Sequence, residues 1–142
     1  MLRLLGLDNH YNKQGFRTCD MTGLKVHQSA ERQVKRFSIV AILALCIGGV
    51  FALLLALTRW EAVGLLGREM FYMSLSVHAW NLLIFWMVFM EIAILYVGGP
   101  FVLGRRLEWA PLATLGWVVM VGGAIGVNAS IFLTQQPNQQ PM

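Results

Sequence analysis

The sequence predicts an all-α membrane protein with three transmembrane helices and a cytoplasmic N-terminal arm. Hydrophobic residues make up 57% of the 142-residue chain and charged residues only 13%, which is typical of membrane proteins. Three long apolar runs account for most of the sequence, and each is long enough for the roughly 20 residues with which a helix crosses a bilayer. The net positive charge lies before the first of these runs.

The charge distribution predicts the orientation of the chain in the membrane. Residues 1–36 contain seven Lys or Arg and three acidic residues, so they hold the whole net charge of +4. Cytoplasmic segments of membrane proteins are enriched in Lys and Arg. We therefore expect residues 1–36 to form a cytoplasmic arm and helix lead-in, with the C-terminus outside. Charge placed in this way indicates topology, and no nucleic-acid partner is predicted.

The first span is predicted over about Phe37 to Leu57 and begins a membrane domain that covers residues 37–133. Residues 1–28 are mixed polar and are expected to be irregular. Gly48 and Gly49 lie in the middle of the span, where small residues allow another helix to approach closely. The loop that follows is short, so the first and second spans are expected to be antiparallel neighbours.

The second and third spans are predicted over about Met70 to Val97 and about Ala110 to Leu133. The Gly98-Gly99-Pro100 sequence is expected to break or kink the end of the second span, because proline lacks the backbone N–H that a helix needs. Gly122 and Gly126 of the third span form a GxxxG pair, a pattern that favours close helix packing. Residues 134–142 are polar and are expected to form a flexible tail.

His78 is the most informative residue of the second span. An ionisable side chain within a transmembrane helix is costly and usually functional. An imidazole in this position can hydrogen-bond another helix, transfer protons, or bind a metal or haem iron. Asn81 lies about 60° around the helix from His78, so it could orient the imidazole ring or share its polar pocket.

Glu91 and a group of aromatic residues also have alternative interpretations. Glu91 is 13 residues beyond His78, about 20 Å further along the helix axis, and is expected to serve another purpose. It could lie near the inner boundary and reach the headgroups or a partner's cation, or it could be a carboxylate for proton entry. The aromatic side chains could wall a cofactor or simply pack; they are Trp80, Phe85, Trp86 and Phe89.

The sequence around His78, Ser-Val-His-Ala-Trp-Asn-Leu-Leu-Ile-Phe-Trp, resembles the beginning of subunit I of the haem-copper oxidase superfamily. It is most similar to B-type cytochrome c oxidases, to which the nitric oxide reductases are related. The Leu-Thr-Arg-Trp end of the first span, the Arg-Arg-Leu after the second and the Gly-Trp-Val-Val-Met-Val-Gly-Gly-Ala of the third also resemble that family. The resemblance covers about residues 20–133, which correspond to the N-terminal three-helix portion of such a subunit.

This resemblance implies a role for His78 as one axial ligand of a low-spin haem b, shared with another chain. Ala79 stands where the family commonly has glycine. The second haem ligand and the copper-binding histidines of the family lie on later helices, so copper is not expected to be bound by this chain. The implied partners are membrane subunits carrying the remaining oxidase helices and an electron donor such as cytochrome c. The implied location is a prokaryotic inner membrane.

The sequence therefore leads to one principal hypothesis and one alternative. The principal hypothesis is a split or partial subunit I of a respiratory oxidase-like complex, in which His78 serves electron transfer toward oxygen. The alternative is a structural membrane subunit without a cofactor, in which His78 and Asn81 hydrogen-bond a neighbouring helix. Both place the chain in the lipid bilayer within a larger complex.

Overall fold

A computed structural model describes residues 11–20 and 22–134. Three long helices follow a short β-hairpin. The second of them contains two π-helical turns, in which backbone hydrogen bonds join residues five apart. In chain order the elements are β1 (Phe16–Thr18), β2 (Lys25–His27), α1 (Gln28–Arg59), α2 (Arg68–Ala79), a first π turn (Trp80–Phe85), α3 (Trp86–Tyr96), a second π turn (Val97–Phe101) and α4 (Ala110–Thr134).

The three helical segments confirm the prediction of three membrane spans. Helices long and apolar enough to cross a membrane cover Gln28–Arg59, Arg68–Phe101 and Ala110–Thr134, and the predicted spans lie within them. The predicted tail beyond Thr134 and the first ten residues of the arm lie outside the described residues. Below, the arm end of the helices is the end at which the β-hairpin lies.

The described part of the N-terminal arm forms a β-hairpin, so the prediction of an irregular segment is wrong there. β1 and β2 pair antiparallel, with Phe16 opposite His27, and the rings of these two residues make an edge-to-face contact at 4.7 Å. Gly15 precedes the hairpin with a positive φ of 79°, a conformation that glycine adopts without steric cost. Strands of three residues in a mixed polar segment give too little alternation to be recognised from sequence.

Glu31 anchors this hairpin to the first turn of α1. Its side chain accepts hydrogen bonds from Arg17 through Nε to Oε2 and through Nη2 to Oε1, both at 2.7 Å. Lys35 lies 2.8 Å from Oε1, and the Tyr11 hydroxyl donates to Oε2 at 3.0 Å. The hydrogen bond to the carboxylate raises the pKa of Arg17. Four donors thus compensate for the burial of Glu31, which is only 4% exposed.

Small and aromatic side chains hold the first two spans together near the arm end. Phe37 and Ala41 of α1 are buried against Phe89 and Ala93 of α3. Alanine at two of these four positions allows the helices to approach, while the two phenylalanine rings fill the remaining space at a centroid separation of 5.9 Å. The predicted antiparallel pairing of the first and second spans is therefore present.

The third span contacts α1 near both of its ends. At the arm end, Thr114 Oγ1 accepts hydrogen bonds from Gln33 Nε2 at 2.9 Å and from Arg36 at 3.2 Å. At the opposite end, the Phe51 and Phe132 rings lie 6.4 Å apart. Among the described residues Gly122 and Gly126 do not mediate close packing, because a Cβ at either position would meet none of their atoms within 4 Å.

The second span does not end abruptly at Gly98-Gly99-Pro100. The chain continues through these residues as the second π turn, which contains Pro100. Beyond it, Gly104 has a positive φ, and a Cβ there would lie 3.0 Å from the carbonyl oxygen of Lys25. The Leu107 N–H donates to Ser29 Oγ at 3.0 Å. The loop before α4 is thereby attached to the end of the hairpin and the start of α1.

We expect Glu31→Gln to loosen the hairpin, because the amide cannot replace the charged interactions with Arg17 and Lys35. The loss of charge-assisted hydrogen bonds should cost about 1–3 kcal/mol. Backbone amides in residues 16–27 should then exchange with deuterium roughly tenfold faster or more, measured by mass spectrometry. Glu61→Gln, which changes an exposed residue of the loop between α1 and α2, should leave this exchange unchanged. Equal exchange in both variants would contradict the anchoring role.

Candidate functional site

His78 lies on the last turn of α2 and contacts α1 through one hydrogen bond. Its Nδ1 is 2.9 Å from the carbonyl oxygen of Gly48. Because a carbonyl oxygen can only accept, Nδ1 is the donor and carries the proton. In the neutral ring, Nε2 then has a free lone pair. Among the described residues Nε2 has no hydrogen-bond partner, and the residue is only partly buried.

The contact between His78 and Gly48 lies near the middle of the membrane. Residues 37–58 of α1 are uncharged between Arg36 and Arg59. Gly48 is 12 residues from Arg36 and 11 from Arg59, so it is separated from each by about 17 Å along the axis. This position places the imidazole far from bulk water on both sides, where a polar group needs a partner within the protein.

The first π turn begins two residues after this histidine and contacts the same glycine. Leu82, within the turn, lies directly against Gly48. A Cβ on Gly48 would stand 3.2 Å from the Leu82 backbone nitrogen, Cβ and Cδ1. The sequence prediction that Gly48 allows close approach is therefore confirmed, whereas a Cβ on Gly49 would meet no atom within 4 Å. π-Helical turns inside α-helices occur frequently at functional sites.

Asn81 joins the second span to the third and does not hydrogen-bond His78 within the described chain. Its Nδ2 donates to Asn128 Oδ1 at 2.7 Å and to the Val77 carbonyl at 2.8 Å. Asn128 in turn donates to the Ala124 carbonyl of its own helix at 2.9 Å. Asn81 is 2% exposed. The two amides thus satisfy each other in a region where water is not available.

A mostly apolar cleft of about 430 Å³ lies between the three spans beside this amide pair. Its walls come from α1 and α4, and Asn81, Phe85 and Phe89 contribute from the second span. His78 is not among the residues that line it. The cleft and the imidazole are therefore separate features, although both adjoin the first π turn.

Three of the four aromatic residues considered as a cofactor wall belong to the core between the helices. Phe89 is buried between the helices and Phe85 packs against that core. Trp86 packs against the same core, whereas Trp80 is 43% exposed. Most of this group therefore serves helix packing, which was one of the two predicted roles.

Glu91 is exposed and lies toward the arm end of the second span. The Phe37 ring is 5.9 Å from Phe89 and 5.8 Å from Tyr96, so Glu91, between these two in sequence, lies near the level of Phe37. Arg36 precedes Phe37 and is the last charged residue of α1 before the uncharged stretch of residues 37–58. A carboxylate at this depth can reach the membrane boundary, which agrees with the first of its two predicted roles. Proton entry through Glu91 stays a prediction.

Comparison with protein families gives one match over most of the chain. Residues 32–141 match the family described as Cytochrome C and Quinol oxidase polypeptide I. The chain belongs to this family. It is thus a multi-pass membrane protein related to an N-terminal portion of oxidase subunit I. His78 and all three spans, except for the first four residues of α1, lie within the matched region. No match is found among curated proteins or among solved structures.

Several features of the site were not predicted from the sequence. Asn128 is the partner of Asn81. This pairing could have been predicted from the sequence, because an amide in an apolar helix usually finds a partner on another helix. The sequence could not identify the Gly48 carbonyl as the acceptor for His78, since every residue carries a carbonyl. The π turn at Leu82 likewise follows from the packing and not from a local sequence pattern.

We expect Asn128→Leu to destabilise the bundle by about 0.6–2 kcal/mol, the range for hydrogen bonds between membrane helices. The variant leaves the Asn81 amide without its interhelical partner. The double variant Asn81→Leu/Asn128→Leu should lose less stability than the sum of the two single variants, because no buried amide is then left without its hydrogen-bond partner. Thermal unfolding of the purified complex in detergent, followed by circular dichroism, measures both effects.

Ser130→Ala provides the control for this comparison, because the Ser130 hydroxyl bonds only to the Val127 carbonyl of its own helix. It should leave the unfolding temperature unchanged. Additive costs of the two asparagine substitutions would show that the amides act independently, contrary to the observed pairing.

Proposed function

We propose that this chain is a subunit of a respiratory haem-copper oxidase-like membrane complex and that His78 supplies one axial ligand of a low-spin haem b. The second axial ligand would come from another chain of the complex. Membership of the subunit I family over residues 32–141 supports the type of complex. The haem, when bound, would accept an electron from cytochrome c or a similar donor and pass it toward oxygen.

The single observation that carries this proposal is the hydrogen-bonding state of His78. Nδ1 donates to Gly48, which leaves the lone pair of Nε2 for a metal. Histidine ligands of metals usually donate their other ring N–H to a carbonyl or carboxylate, which fixes the tautomer and the ring orientation. Haem iron takes four of its ligands from the porphyrin, so a single imidazole from this chain fits the chemistry of the group.

The chain's own residues would contribute position and a dry environment. Gly48 holds the imidazole near the middle of the membrane, and the apolar residues of the first two spans limit access of water. Axial ligand identity, hydrogen bonding of the ligand and burial are the factors by which a protein sets a haem potential. At His78 this chain would provide the first two, the ligand and its hydrogen bond to Gly48.

The location and orientation proposed for the chain agree with its charge distribution. Residues 1–36 would face the cytoplasm of a prokaryotic cell, since they hold the excess of Lys and Arg. The partners would be membrane subunits that carry the remaining oxidase helices. Copper would be bound by those subunits and not by this chain.

A structural subunit without a cofactor is the second candidate. One specific observation favours it: His78 and Asn81 each hydrogen-bond a neighbouring span, through Gly48 and Asn128 respectively. These contacts alone would explain two polar residues within an apolar helix. In this case Nε2 of His78 would have no ligand to bind, and an amide could replace the ring.

A reduced-minus-oxidised visible spectrum of the purified complex distinguishes the two candidates. We expect His78→Ala and His78→Gln to lose the low-spin b-type band while the complex still assembles. Neither side chain can replace the imidazole as an axial ligand. Ser76→Ala is the control, since within the described part of the chain the Ser76 hydroxyl bonds only to the Tyr72 carbonyl of its own helix. Its spectrum should match that of the wild type.

The structural candidate predicts a different result for His78→Gln. A glutamine amide could still donate to the Gly48 carbonyl, so assembly and spectrum would both resemble the wild type. An unchanged low-spin band in His78→Ala, with the complex assembled, would exclude His78 as the haem ligand.

A further inference from the structure

We infer that Gly48 is a positioning residue that fixes the tautomer and tunes the basicity of His78, and thereby the reduction potential of the haem that His78 would ligate. This inference rests on the proposed function and adds to it a residue on another helix. Gly48 would not touch the iron. It would act through the imidazole, by its backbone carbonyl and by its lack of a side chain.

The carbonyl of Gly48 determines which nitrogen of His78 can bind a metal. At 2.9 Å from Nδ1, this oxygen accepts a hydrogen bond, so the ring proton must lie on Nδ1. Only Nε2 is then left with a lone pair. The hydrogen bond also withdraws the Nδ1 proton partly from the ring, which makes the imidazole a stronger electron donor through Nε2.

Because Gly48 has no side chain, the second span packs close to α1 at this residue. A Cβ would lie 3.2 Å from three atoms of Leu82, including its backbone nitrogen. A flexible side chain could rotate away, but a backbone nitrogen moves only with the helix. Leu82 belongs to the first π turn, which begins two residues after His78. Any displacement of Leu82 is therefore transmitted over one helical turn to the imidazole.

A methyl group at residue 48 should thus weaken the hydrogen bond without removing the acceptor. Contact distances of 3.2 Å require the neighbour to give by a few tenths of an ångström. Hydrogen bonds weaken with distance and misalignment. The imidazole would then donate less electron density, and the oxidised iron would lose more stabilisation than the reduced iron. The midpoint potential of the low-spin haem should become more positive.

The experiment compares Gly48→Ala with Gly49→Ala in the complete complex. Both variants add one methyl to adjacent helical glycines, but a Cβ at Gly49 would meet no atom of the described residues within 4 Å. A redox titration followed at the low-spin band measures the midpoint potential of each. Removing a hydrogen-bond partner of a metal ligand commonly changes metal affinity or activity by tenfold or more. A tenfold change in a one-electron equilibrium corresponds to about 59 mV.

We therefore expect a positive shift of this order in Gly48→Ala, with the band retained, and no shift in Gly49→Ala. Equal potentials in Gly48→Ala and the wild type would overturn the inference, and so would equal shifts in both variants. Either result leaves the proposed function standing if His78→Ala still loses the band. Retention of the band in His78→Ala would instead reject the proposed function itself.

A second measurement on the wild-type complex covers the case in which Gly48→Ala does not assemble. Solid-state NMR of a sample labelled with ¹⁵N-histidine reports which ring nitrogen of His78 carries a proton, with His78→Ala identifying the signal. We expect a protonated, hydrogen-bonded Nδ1. A ring protonated at Nε2 and bare at Nδ1 would contradict the inference.

Discussion

The close crossing of the first two spans at Gly48 is the contact on which the centre of the protein depends. Within a bilayer no water competes for polar groups, so an imidazole near the membrane midplane must find its partner on another helix. Here the partner is a backbone carbonyl, reached because residue 48 lacks a side chain. One residue thus supplies both the acceptor and the space for the helix that carries the donor.

The polar contacts of the bundle form three levels along its axis. Thr114 receives Gln33 and Arg36 near the arm end, His78 meets Gly48 near the middle, and Asn81 pairs with Asn128 one turn from the histidine. Apolar burial offers little driving force between helices in lipid. These few directional bonds, with the aromatic contacts between them, fix the relative positions of the spans.

Sequence reasoning was most accurate for properties of a single helix and less accurate for contacts between helices. Hydropathy and charge are local, so the second and third spans were predicted within four residues of their bounds, whereas the first helix begins nine residues before the predicted start at Phe37. Gly48 and Gly122 looked equivalent in sequence, yet only Gly48 faces a neighbour within this chain. A GxxxG pair shows that a helix can pack closely and not that it does. The hairpin was missed for a related reason, because Glu31 stabilises it from outside the segment.

The contact that Ser29 makes with Leu107 can form only late in the synthesis of the chain. Its hydroxyl lies 2.7 Å from His27 Nδ1 and accepts the Leu107 N–H at 3.0 Å, so the start of the first helix and the loop before the third share one atom. Leu107 leaves the ribosome 78 residues after Ser29. This contact can therefore form only after the second helix has been synthesised.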